Sequence, residues 1–94
     1  MRLRLYSSIG DQRIPNLVSV QNAGLDFLPT ILVCPIRKDA APTGLRGRFE
    51  WRSEHYTVLC ELVRPIRASA LVLVGEINEA ASEQVMARLR LLFA

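Results

Sequence analysis

Few side chains in this sequence are of the kind that bind metals or attack electrophiles. There is one histidine, His55, and there are two cysteines, Cys34 and Cys60. The cysteines lie inside the apolar runs Leu32-Val33-Cys34-Pro35 and Val58-Leu59-Cys60-Glu61 and form no C-x-x-C pair. One histidine cannot complete a zinc site with them, so both read as small buried hydrophobes. His55 falls in a strand-like run, where a structural or surface role is expected. Asp39, Glu50, Glu54 and Glu61 have no spacing that would gather them round a metal ion. No Ser-His-Asp or Cys-His constellation can be placed, so neither a metal nor a cofactor is expected.

The remaining chemistry is cationic. Eleven arginines and one lysine give a net charge of +3. They are scattered, whereas a nucleic-acid footprint normally clusters such charges on one face. Arg46, Arg48 and Arg52 share strand parity, with Arg37 and Lys38 just upstream. The group reads as a solvated face, with a site for an acidic partner as the alternative.

The 94 residues fit one domain, 1–94, and half of them are hydrophobic. A chain this short leaves much of its surface exposed, so part of the apolar surface is expected to be buried in a homodimer. Arg2-Leu3-Arg4-Leu5 leads into polar residues instead of an apolar signal region. No apolar run approaches a membrane span, and a cytoplasmic location with no membrane partner is expected.

The elements that must position these side chains are mostly strands. Arg2–Tyr6 alternates strictly, the mark of a half-buried strand. Residues 7–15 are loop chemistry, Leu17–Gln21 is a second strand, and Asn22-Ala23-Gly24 ends it. Thr30–Cys34 reads as a strand buried on both faces and closed by Pro35. Arg37–Gly44 is a polar loop. Arg48–Arg52 and His55–Leu62, joined by a turn at Ser53-Glu54, form the best hairpin candidate. Pro65 marks a bend or strand edge, and Ala70–Val74 is the last strand, closed by Gly75.

The period then changes. Asn78 is a suitable N-cap, and Ala81, Val85, Leu89 and Leu92 recur at helical spacing. Arg88 and Arg90 fall near the helix end, where the macrodipole favours positive charge. The expected fold is mainly β with a C-terminal helix: a twisted antiparallel sheet or partial barrel of about five to six strands. Val18, Val20, Ile31, Val33, Val58, Leu71 and Leu73 are expected in its core, with Val85, Leu89 and Leu92 laid on it.

This order of elements resembles the CcdB/MazF superfamily of toxin–antitoxin toxins. Leu17–Asn22 followed by Thr30–Ile36 looks like the paired strands of both branches. Leu45–Tyr56 is similar to the CcdB hairpin, and Gly75-Glu76-Ile77-Asn78 with the following helix matches both branches. The resemblance implies an SH3-like sheet, a homodimer and a cognate antitoxin whose flexible tail wraps the toxin. The CcdB branch, judged the closer, binds the A subunit of DNA gyrase and is not an enzyme. Its helix end would then make Arg88, Leu92, Phe93 and Ala94 the target-binding residues. The MazF branch cleaves single-stranded RNA, which calls for a base or electrostatic stabiliser near the 2′-hydroxyl and the developing phosphorane charge. On that alternative the catalytic candidates are Asp11, Arg13 and Arg37, with Arg37 standing where those ribonucleases usually carry Thr. A third possibility is an SH3-like interaction module, which an exposed aromatic groove around Tyr6, Trp51 and Tyr56 would favour.

Overall fold

The computed structural model describes residues 2–10, 13–21, 28–41 and 46–93, for Phe93 the backbone only. Among these residues seven strands precede one helix: β1 Arg4–Ser7, β2 Leu17–Ser19, β3 Thr30–Arg37, β4 Gly47–Trp51, β5 Glu54–Val58, β6 Arg64–Arg67 and β7 Val72–Glu76, then α1 Glu79–Phe93. Short 3₁₀ turns at Cys60–Leu62 and Ala68–Ala70 flank β6. Every strand pair is antiparallel. The order is β4-β5-β3-β2-β1-β7, with β6 added beside β3. The sheet curls into a half-barrel.

β3 is the hub. One edge pairs with β2; along the other, Thr30–Val33 pairs with β6 and Ile36–Arg37 with β5. Pro35 therefore interrupts nothing. It sits where β3 changes partners, so its missing N–H is not called on, while its carbonyl accepts a 2.9 Å bond from Leu59 N–H. The expectation that Pro35 closes the strand is thereby corrected.

Alternation along the central strands sorts side chains between two cores. Leu5, Val18, Val20, Cys34, Ile36 and Val58 face α1, which lays Val85 and Leu89 on them, with Leu92 partly buried beside them. Tyr6, Leu17, Ile31 and Val33 face the other way, under Ile66, Ala68 and Leu71. The helix starts where expected: the Asn78 side chain accepts a 2.8 Å bond from Ala81 N–H. Buried Ser82 then ties α1 to the chain start, accepting from Leu3 N–H at 2.9 Å and donating to the Asn78 carbonyl at 2.8 Å.

The strands at the two ends of the order, β4 and β7, meet through side chains. Gly75 lies inside β7 and does not close it. A Cβ there would stand 2.9 Å from Cζ2 of Trp51 on β4, so glycine makes room for the indole. The β4–β5 turn is Arg52-Ser53, one residue earlier than expected. Trp51 pairs with Glu54, and φ of +50° and +64° gives the left-handed two-residue turn that suits hairpin twist. The Arg52 guanidinium stacks 4.3 Å from the Trp51 ring centre.

Other expectations need correction. The strand expected over His55–Leu62 ends at Val58 and gives way to the 3₁₀ turn. Pro65 lies within β6, a short strand the sequence pattern did not reveal, and it is tolerated because β6 borders β3 on one side. Leu73 is 54 % exposed, because it lies on the outer side of an end strand that no described element covers. The turn expected at Asn22-Ala23-Gly24 lies outside the described residues.

Candidate functional site

A groove of about 390 Å³ opens where β3 ends. Asn16 and Leu17 line it from the start of β2, Pro35, Ile36 and Arg37 from β3, and Leu62 and Arg64 from the 3₁₀ turn and the start of β6. Asn16 is its structural pin. Its N–H bonds the Tyr6 carbonyl at 3.0 Å, and its carbonyl accepts from Ile36 N–H at 3.0 Å. Its amide donates to Ser8 Oγ at 2.8 Å, and its side-chain oxygen accepts from Ser8 N–H at 2.9 Å. The carboxamide thus ties Ser8, just after β1, to the residue that leads into β2.

Arg37 and Arg64 are exposed, and neither has a carboxylate partner among the described residues. Leu62, also on the groove lining, is 49 % exposed. Among the described residues lining the groove there is no carboxylate or imidazole. Two cations over an apolar floor suit an anion with an apolar neighbour, such as a phosphodiester and its base. Glu61, adjacent to the groove in sequence, is engaged elsewhere. Arg46 grips it with NH2 at 2.9 Å and Nε at 3.0 Å, and this holds the Glu61 carboxyl below its ordinary range.

The expected site residues are dispersed. Arg37 is in the groove. Arg13 is exposed in the loop before β2 and is not among the groove-lining residues. Asp11 and Ala94 lie outside the described residues, as does the Phe93 side chain. Arg88 is half-buried, its Cγ near Gly47 on β4, and Leu92 is packed against the core. Leu62 and Arg64 were not singled out in the sequence; the signal was an Arg-Pro step read only as a bend.

Other candidates resolve simply. His55 is exposed and 3.8 Å from Glu50. Tyr6 and Tyr56 are buried in different cores, Tyr56 stacked on Phe49 at 5.4 Å, so an exposed aromatic groove shared with Trp51 is not formed. Cys34 and Cys60 are buried free thiols. Their mutual hydrogen bond, reinforced by burial, raises Cys34 far above the usual thiol range, while the same bond lowers Cys60. No group of three or more potential metal ligands is found among the described residues. No described helix is long and apolar enough to cross a membrane.

The fold and groove define a class: a curled antiparallel half-barrel with a C-terminal helix, and a cationic cleft at the end of its central strand. The chain shares this fold with MazF toxins. It superposes on the Mycobacterium tuberculosis toxin MazF-mt6 with a TM-score of 0.74 at 10 % identity, covering 99 % of this chain and 96 % of that one. It superposes on the MazE–MazF structure from Deinococcus radiodurans with a TM-score of 0.73 at 13 % identity, covering 99 % and 90 %. No family model and no curated protein matches the sequence. The closer leaning to CcdB gains no support from these neighbours.

Proposed function

We propose that this chain is the toxin of a type II toxin–antitoxin module and acts, in the manner its MazF-like fold suggests, as an endoribonuclease on single-stranded RNA in the cytoplasm. The observation that carries this reading is Arg37, unpaired among the described residues, in a groove free of lining carboxylates. In the reaction the ribose 2′-oxygen attacks the adjacent phosphorus and yields its proton to solvent. The P–O5′ bond breaks, and the leaving oxygen takes up a proton. Arg37 would stabilise the charge that builds on the phosphorane oxygens. Arg13, exposed in the segment before β2, would approach from the side. The reading also takes a cognate antitoxin and a second copy of the chain as partners; the exposed apolar residues Leu32, Leu73 and Leu91 suit such interfaces.

The gyrase reading finds less to stand on, since Leu92 is committed to the core and Arg88 is half-buried. One experiment separates the two. The purified protein is incubated with a long single-stranded RNA and, separately, with gyrase and supercoiled DNA. Discrete RNA fragments with unaltered DNA are expected. Intact RNA together with trapped, cleaved DNA would reverse the assignment.

A further inference from the structure

Each carboxylate that takes part in a salt bridge described here lies outside the groove. Glu76 pairs with Arg2, Glu54 with Lys38 and Glu50 with His55. Glu61 is the carboxylate nearest to Arg64 in the sequence, three residues before it, and it immediately precedes the groove residue Leu62. It pairs with Arg46, whose remaining nitrogen is anchored to the Ala41 carbonyl at 2.9 Å. Two arginines, one from β3 and one from β6, therefore line one cleft with nothing negative among its described lining residues. Like charges brought together repel, and such a pair is stabilised by an anion that accepts from both.

We infer that Arg37 and Arg64 form a two-guanidinium clamp for the phosphodiester backbone of single-stranded RNA, and that Arg46 keeps the clamp open by holding Glu61. Arg64 is thus a second substrate-binding residue and Arg46 a positioning residue. The inference rests on the ribonuclease reading for its ligand. The apolar floor of Leu62 and Pro35 selects a nucleotide over an acidic peptide, because it offers a surface to the ribose or base beside the phosphate. Oligonucleotide binding should fall with salt, each clamp arginine supplying about 0.7 of the log–log slope, the value for one phosphate contact on a single strand.

The test uses the intact protein and a fluorescent 2′-O-methyl RNA strand, which cannot be cut, with anisotropy read across a salt series. Arg37→Ala and Arg64→Ala should each weaken binding several-fold and lower the slope. Arg64→Lys should keep the slope and lose affinity, since a point charge replaces the fork. Arg48→Ala, on exposed β4 surface, should change neither. Arg46→Ala should weaken binding, and adding Glu61→Gln should restore it at the wild-type net charge. The clamp is overturned if wild-type protein does not bind the strand, if Arg64→Ala leaves the slope intact, if Glu61→Gln fails to rescue, or if polyglutamate competes as well as RNA. Cleavage of ordinary RNA is scored separately. Cutting with unchanged slopes removes the clamp and leaves the ribonuclease; slopes that respond without cutting support the clamp and remove the ribonuclease.

Discussion

Among the described residues, thirteen buried ones form one cluster on the helix side of the sheet, whereas the opposite side holds four, covered by Ile66, Ala68 and Leu71. The same strands supply both, Leu5 against Tyr6 in β1 and Val18 against Leu17 in β2, so the difference lies in what covers each face. A whole helix covers the first, and the short segment through β6 covers the second. The groove opens at the edge the two share, with Leu17 of the smaller cluster and Ile36 of the larger both on its lining. Stability is thus concentrated on one face, and the surface fit for a ligand lies at the strand end where the two clusters meet.

The comparison is tested most severely by Leu89→Ala. It empties a buried site under α1 and should cost about 2–5 kcal/mol in a denaturant titration; a value near zero would mean the helix is not the main cover. Gly75→Ala comes next, at about 1–3 kcal/mol, because the new methyl must displace the Trp51 ring that joins β7 to β4. Tryptophan fluorescence, with Trp51 the single reporter, should shift with it. Asn78→Ala should cost about 1 kcal/mol through the lost N-cap, read as a lower melting temperature. The smallest effect belongs to the groove side. Glu61 is held below its ordinary range chiefly by the Arg46 hydrogen bond, so its contribution is present above the unfolded value of about 4.3. That contribution is lost as pH falls through the lower folded value. Partial exposure of the pair keeps it within about 1 kcal/mol. Melting curves of wild type and Glu61→Gln should differ slightly at pH 7 and converge toward pH 3.

Local patterns were legible in the sequence and tertiary ones were not. The helix announced itself through Asn78 and the Val85, Leu89, Leu92 spacing, and the β4–β5 hairpin through its alternation. Pro35 was misread because its tolerance depends on β3 changing partners, which only the assembled sheet decides. β6 was hidden behind Pro65. Leu73 alternates as a core residue would, but no described element covers its side. Of the candidate site, Arg37 was visible as a position. Its groove was not, because Asn16, Leu62 and Arg64 come from separate segments and acquire meaning only when β2, β3 and β6 meet.

On the proposed reading, function rests on Arg37 in the groove and can be removed without loosening the helix-side core. The most direct measurement is cleavage of a long single-stranded RNA by Arg37→Ala beside wild type, with melting temperature recorded on the same samples. A loss of about 100-fold or more, the scale of removing one electrostatic stabiliser of a transition state, with an unchanged melting temperature is the result predicted. Full cleavage by the folded variant would contradict the account.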